Sequence, residues 1–126
     1  DFNNLSEVSR FLSLSGKKLE RKHAYMLDDY KSHLGFLNCH IGCTECEKAC
    51  PDHLPVNTIL RYNYYYQTKR DEKEAMKLYA GLSEKQAAQC ASCPGYCESA
   101  CPNGVSTRSL MTMAHQNLSL DMPSFA

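Results

Sequence analysis

Eight of the 126 residues in this chain are cysteines, and they fall into two compact groups. The first group consists of Cys39, Cys43, Cys46 and Cys50, and the second of Cys90, Cys93, Cys97 and Cys101. Thiols at this density support three kinds of chemistry, namely disulfide pairing, zinc binding and iron–sulfur cluster binding. The order and spacing of the cysteines distinguish among the three.

The two groups repeat a single pattern. A shift of 51 residues superposes three cysteines of each group, and the remaining one falls one residue out of register. The superposed pairs are Cys39 with Cys90, Cys46 with Cys97, and Cys50 with Cys101. Each group also ends in Cys-Pro. We therefore expect one pseudo-symmetric unit, because neither half of the chain is long enough to bury a core of its own.

The spacing within each group is close to that of a cluster-binding run. The groups read C-x3-C-x2-C-x3-C-P and C-x2-C-x3-C-x3-C-P, and the run C-x2-C-x2-C-x3-C-P sends its fourth cysteine to a second cluster. Three cysteines on a tight loop can wrap three corners of a cubane, while the proline turns the chain away. This rule predicts two [4Fe–4S] clusters with crossed ligands. One would bind Cys39, Cys43, Cys46 and Cys101, and the other Cys90, Cys93, Cys97 and Cys50.

Because of the extra residue in the first group, the spacing does not decide which residue is the first ligand. Counting back from Cys50 by the strict spacing puts His40, not Cys39, in the first position. Histidine ligates some clusters. We expect the loop to bulge by one residue so that Cys39 binds, with His40 as the alternative ligand.

Zinc binding and disulfide pairing are the two other interpretations of the cysteines. Zinc suits the pairs Cys43/Cys46 and Cys90/Cys93, so a structural zinc module for protein interaction is the alternative function. Zinc has no need, however, for four closely spaced cysteines followed by proline and repeated. Disulfides fit less well, because the chain has long helical stretches and enough apolar residues for a core.

The sequence before the first cysteine group predicts two helices. Apolar residues at helical spacing indicate a short helix that ends near Gly16 and a longer one that begins at Leu19. Asn4 and Glu7 form a capping-box pattern at the start of the first helix. Gly35 suits a left-handed terminus for the second.

The sequence after the first cysteine group also predicts helices, and no segment shows the sustained alternation of a strand. One helix is expected over about 55–68, opened by a proline, and others over about 71–82 and 106–118. Ser83 and Gln86 form a capping-box pattern for a short helix that leads into the second cysteine group.

These elements predict an all-α fold. Residues 1–35 would form linker helices, residues 36–119 a helical domain with two cysteine-rich loops, and residues 120–126 an irregular tail. A helix that begins just after each Cys-Pro would direct its free N–H groups toward a negatively charged cluster. Leu54 and Val105, at matching positions of the repeat, would shield the clusters from water.

Four tyrosines crowd one segment, at Tyr62, Tyr64, Tyr65 and Tyr66. On a helix, Tyr62 and Tyr66 share a face, whereas Tyr64 and Tyr65 point elsewhere. Exposed aromatic residues are typical of a docking surface for a partner. The alternative is ordinary packing in which the hydroxyl groups reach solvent.

Charge and hydropathy exclude other classes of function. The 14 basic residues balance the 14 acidic ones, which gives no support to nucleic-acid binding. No apolar run approaches the roughly 18 residues of a membrane span. The chain begins at Asp1 rather than Met, so we expect a processed form or part of a longer polypeptide. Oxygen-sensitive clusters favour a cytoplasmic location, although export after cofactor insertion is compatible with the sequence.

The stretch from about Leu19 to Leu118 resembles the iron–sulfur domain at the C-terminus of certain bacterial aldo/keto reductases, and several short sequences within it carry the resemblance. They are NCHIGCTEC at 38–46, ACP at 49–51, PVN at 55–57, RY at 61–62, EAMKLY at 74–79 and CESACPNGV at 97–105. Residues 2–30 are similar to the linker helices that follow the reductase barrel in those proteins.

The resemblance implies a helical ferredoxin-like fold with two [4Fe–4S] clusters and a neighbouring reductase barrel with a nicotinamide site. The barrel itself cannot fit in 126 residues, so no position here corresponds to its catalytic residues and no residue is assigned a catalytic role. We expect an electron-transfer module whose partner is a redox protein or a reductase barrel domain or subunit. A cluster with only three protein ligands would instead leave an iron open for catalysis.

Overall fold

A computed structural model describes residues 5–120, and every regular segment in that range is helical. The α-helices are α1 (Leu5–Ser13), α2 (Arg21–Leu34), α3 (Val56–Gln67), α4 (Glu72–Ala80), α5 (Tyr96–Ala100) and α6 (Thr107–Leu118). Short 3-10 turns occupy Gly35–Leu37, Glu47–Ala49 and Ser83–Lys85. The predicted all-α class is confirmed. The Asn4 cap and all but the first residue of the predicted tail lie outside the described residues.

The chain divides into two compact units between Ser32 and His33. The first unit contains α1 and most of α2, and neither helix has a buried residue. The predicted left-handed terminus at Gly35 is wrong, because the chain tightens there into a 3-10 turn and Gly35 does not have a positive φ. A 3-10 turn closes a helix end with ordinary right-handed backbone angles.

The core of the second unit lies among three helices. α3 packs against both α4 and α6, and α4 packs against α6. The side chains of Ile59, Ala75, Tyr79 and Ala114 are fully buried. Full burial of a side chain the size of isoleucine contributes about 1.5–3 kcal/mol of hydrophobic stabilisation. The helices that follow the two cysteine groups therefore form the framework of this unit.

The internal repeat extends to the backbone. α3 and α6 each contain 12 residues and begin 51 positions apart, at Val56 and Thr107. A tight turn precedes each helix: the Val56 N–H donates to the Leu54 carbonyl at 2.9 Å, and the Thr107 N–H donates to the Val105 carbonyl at 2.7 Å. Leu54 and Val105 are both buried, as the prediction of their shielding role requires.

A left-handed residue also repeats. His53 has φ of 48° and Gly104, which is 51 residues later, has φ of 64°. Glycine adopts this conformation without steric cost, whereas histidine does so at some expense. The two halves thus keep the same turn after Cys-Pro even though only one of them uses glycine.

The segment between α4 and the second cysteine group differs from its prediction. α4 ends at Ala80, and no α-helix connects Ser83 to the second group. A capping residue needs extended backbone angles, but Ser83 is left-handed with φ of 51°. Gln86 instead donates its side-chain amide to the Tyr79 carbonyl at 3.2 Å.

The tyrosine cluster is mostly packed. Tyr62, Tyr65 and Tyr66 are partly buried against the core, whereas Tyr64 is 44% exposed. The prediction that Tyr65 points away from the core is wrong, because helices on two sides of α3 give it a wide buried face. The packing interpretation holds for three of the four rings, and Tyr64 alone is largely open to solvent.

Candidate metal centre

The two cysteine groups lie on segments that lead directly into α3 and α6, and the second predicted loop is partly helical because Cys97 lies within α5. All eight cysteines are free thiols. Cys46 and Cys90 are buried, and the other six are half-buried. Every one of them belongs to the second compact unit, so the structure concentrates the chain's thiol chemistry there.

One set of neighbouring thiols joins the first group to the last cysteine of the second. Cys101 is close enough to Cys39 and to Cys46 to interact electrostatically with both. Cys39 also interacts with Cys43 and with Cys46. Cys39 thus interacts with each of the other three residues of the first predicted ligand set.

The second set has the reciprocal arrangement. Cys50, the last cysteine of the first group, interacts with Cys90 and Cys97. Cys93 likewise interacts with Cys90 and Cys97. The last cysteine of each group thus lies near two cysteines of the other group.

Cys46 and Cys97 connect the two sets. Burial, followed by the charges of Cys97, Cys39 and Cys101, raises the pKa of the Cys46 thiol to about 12. Cys97 is a member of the second set, so the two sets adjoin at this pair. Burial, followed by the charge of Cys97, similarly raises the pKa of Cys90 to about 11. Without a positive partner, these thiols remain protonated at neutral pH.

A left-handed glycine lies in the gap that contains the extra residue of each group. In the first group, the Cys43 N–H donates to the His40 carbonyl at 3.1 Å, and Gly42 within that turn has φ of 73°. In the second group, Gly95 has φ of 90° and its N–H donates to the Cys93 sulfur at 3.4 Å. Turns with a left-handed third residue favour glycine. The extra residue of the first group therefore lies in a local turn, whereas in the second group Gly95 is the left-handed residue that precedes α5.

The turn in the first group favours Cys39 over His40 as the ligand in the first position. The Cys39 thiol is half-buried and faces Cys43 and Cys101. The side chain of His40 is exposed, and its backbone carbonyl accepts hydrogen bonds from the Cys43 N–H and from the Asn57 side chain.

Asn57, at the start of α3, contacts the first thiol set directly. Its side-chain amide donates to the Cys39 sulfur at 3.2 Å and to the His40 carbonyl at 2.7 Å. Burial raises the pKa of Cys39, and the hydrogen bond from Asn57 opposes that rise. The amide therefore stabilises negative charge on this sulfur.

Two glutamates occupy the helix N-termini that were expected to face the clusters. The Glu47 carboxylate accepts the Asn57 N–H of α3 at 3.1 Å. The Glu98 carboxylate accepts the Arg108 N–H of α6 at 3.0 Å. The expectation of freely available N–H groups is therefore wrong for these two donors, since each is already bonded to a carboxylate.

Sequence reasoning missed Glu47, Glu98 and Asn57. The 51-residue shift that superposes the cysteines also superposes Glu47 on Glu98. This match in the repeat could have identified the two glutamates from the sequence. No comparable signal existed for Asn57, because its repeat equivalent is Arg108 and the two side chains differ in chemistry.

A cleft opens beside the first thiol set. Its volume is about 390 Å³, and Cys39, Asn57 and Arg61 line it together with Tyr64. Arg61 is the only charged residue among the lining residues. This cleft gives solvent, or a partner, a route to the Cys39 side of the thiol sets.

Two features are absent from residues 5–120. That range holds no group of three or more His, Cys, Asp or Glu side chains arranged around a single metal ion. It also holds no helix that is long and apolar enough to cross a membrane. Comparison of the chain with protein-family models, with curated proteins and with solved structures finds no match.

Proposed function

We propose that this chain binds two [4Fe–4S] clusters and transfers electrons through them. The first cluster would bind Cys39, Cys43, Cys46 and Cys101, and the second Cys90, Cys93, Cys97 and Cys50. Such clusters supply one-electron redox chemistry, at potentials set by burial, charge and hydrogen bonds to sulfur.

The crossing of the two cysteine groups is the observation that supports this proposal best. Cys101 neighbours Cys39 and Cys46, and Cys50 neighbours Cys90 and Cys97. The donor set is also suitable, since four thiolates hold each [4Fe–4S] cluster in proteins of this kind. A zinc module built from local Cys-x2-Cys pairs would not require the exchange of one cysteine between groups.

The adjoining thiol sets suit a relay. Cys46 belongs to one set and Cys97 to the other, and they interact directly. Two redox centres in this arrangement can accept and pass on one electron at a time. The chain's own residues would hold the centres, exclude water through Leu54 and Val105, and leave the Cys39 side open at the cleft.

We further propose that the chain is the electron-transfer module of a larger oxidoreductase of the aldo/keto reductase type. The support is the sequence resemblance, including CESACPNGV at 97–105. Its partner would be a reductase barrel or another redox protein, and the oxidoreductase would be cytoplasmic.

Metal analysis separates this proposal from the zinc alternative. Protein purified without oxygen should be brown and contain roughly eight iron and eight acid-labile sulfide per chain, as two four-iron clusters require. Reduction with dithionite should produce electron paramagnetic resonance signals of reduced clusters. A colourless protein with stoichiometric zinc and no sulfide would refute the proposal.

A further inference from the structure

The two halves of the repeat place different side chains at the same position beside the thiols. Asn57 and Arg108 are both the second residue of their helix, and both donate their backbone N–H to a glutamate. Their side chains then differ. Asn57 donates to the Cys39 sulfur at 3.2 Å, whereas Arg108 donates to the Ala91 carbonyl at 3.0 Å.

The Asn57 side chain is held so that its amide faces the sulfur. Its backbone is fixed by α3 and by the Glu47 carboxylate at 3.1 Å. Its side-chain N–H group also bonds the His40 carbonyl at 2.7 Å. Because the amide NH2 has two N–H donors and bonds both acceptors, turning it away from Cys39 would also disturb its bond to the His40 carbonyl.

We propose that Asn57 tunes the reduction potential of the centre bound by Cys39, Cys43, Cys46 and Cys101, and that it holds this potential above the value the same ligands would give alone. The inference rests on the proposed two-cluster function. An N–H dipole directed at a ligand sulfur stabilises negative charge there. The reduced cluster carries one more negative charge than the oxidised one, so the bond favours reduction.

The effect is specific to one centre. Around the other centre, the side chain at the equivalent position bonds a carbonyl, and the sulfur contact at Cys93 comes from the Gly95 backbone N–H instead. A side-chain substitution can therefore remove a sulfur hydrogen bond from the first centre while leaving the backbone bond of the second intact. This difference allows the two potentials to be set separately.

The test is a redox titration of the iron-loaded protein, followed by electron paramagnetic resonance, for the wild type, Asn57→Leu and Asn57→Asp. Leucine has about the size of asparagine but no donor, and aspartate adds a negative charge in place of the donor. We expect one of the two potentials to fall in Asn57→Leu and to fall further in Asn57→Asp. The other potential should stay at its wild-type value in both variants.

Arg108→Lys is the matched control, since it changes the side chain at the equivalent position while keeping its charge. It should leave the first centre's potential unchanged. Unchanged potentials in both Asn57 variants, or equal shifts of both centres, would overturn the tuning role. Loss of the first centre in both variants would overturn it as well, in favour of a purely structural role. A wild-type protein without clusters would refute the proposed function instead.

Discussion

At the scale of single residues, several thiols are shielded from water and lie near other thiols. Both features disfavour a negative charge on their sulfur atoms. Burial is the largest cause of the raised pKa at Cys46 and at Cys90, and neighbouring cysteines add to it. Ligand thiols must lose their protons when they bind a metal. Cofactor binding should therefore release protons from these thiols.

The raised thiol pKa values predict how the stability of the metal-free protein depends on pH. Folding raises the pKa of Cys46 to about 12 and that of Cys90 to about 11, above the ordinary thiol value of about 8.5. The unfolded chain therefore loses these protons first. The stabilisation is complete below about pH 8.5 and is lost as the pH rises toward these values.

Urea unfolding of reduced, metal-free protein at pH 8 and pH 10, followed by circular dichroism, measures this effect. The free energy of unfolding should be lower at pH 10. In the double variant Cys46→Ala, Cys90→Ala, it should fall less between the two pH values, because two of the responsible groups are gone. If the free energy of unfolding fell equally in the variant and the wild type, the pH dependence could not be assigned to Cys46 and Cys90.

At the scale of helices and turns, the repeat made much of the fold predictable. α3 and α6 begin and end within about one residue of the predicted positions, because a Cys-Pro turn precedes each and the apolar positions keep helical spacing. The short turn at Ser83–Lys85 was not predictable in this way, since a capping-box pattern does not specify the backbone angle of its first residue. The burial of Tyr65 depends on contacts between helices, and these cannot be predicted from the local spacing of apolar residues.

The site was predictable to a similar extent. The crossed neighbourhoods of Cys50 and Cys101 followed from the spacing rule, and the structure contains both. The left-handed turn at Gly42 was not foreseen as the place of the extra residue in the first group, although the glycine in that gap was visible. The hydrogen bond of Asn57 required three-dimensional positions, because Asn57 and Cys39 are distant in sequence.

The glutamate caps lead to a prediction about helix stability. Replacing Glu47 or Glu98 with alanine removes the acceptor of a helix N-terminal N–H. Loss of such a cap costs about 0.5–2 kcal/mol. We expect the larger cost for Glu47, which is half-buried, and the smaller for Glu98, which is exposed.

Chemical denaturation of Glu47→Ala and Glu98→Ala measures these costs. Glu45→Ala is the control, because Glu45 lies in the same loop and is exposed, and surface changes of this kind usually alter stability by less than about 0.5 kcal/mol. The assignment of Glu47 and Glu98 as helix caps would be wrong if Glu45→Ala lowered the free energy of unfolding as much as either of the other two substitutions. Glu47→Gln should lose less than Glu47→Ala, since it keeps an acceptor oxygen.

At the scale of the whole molecule, the two proposed clusters would tie the two halves of the repeat together. Each cluster would take three cysteines from one half and one from the other. Pairs of cysteine-to-serine substitutions can therefore reveal the arrangement through iron content alone. The pair Cys39→Ser, Cys101→Ser removes two ligands of one proposed cluster, whereas the pair Cys39→Ser, Cys50→Ser removes one ligand from each.

The first pair should leave about four iron atoms per chain, in one intact cluster. The second pair should disturb both clusters and leave fewer. Iron and sulfide analysis after anaerobic reconstitution measures the difference. If Cys39→Ser, Cys50→Ser were the pair that kept four iron atoms, each cysteine group would close on its own cluster and the crossed arrangement would be wrong.

The position of Cys101 has a consequence for biogenesis. This residue completes the thiol neighbourhood around Cys39 and Cys46, yet the ribosome adds it 62 residues after Cys39. The fourth donor is thus absent for most of the time that this stretch is being synthesised. Under the proposed ligation, the first cluster could therefore be completed only after the second cysteine group has been translated.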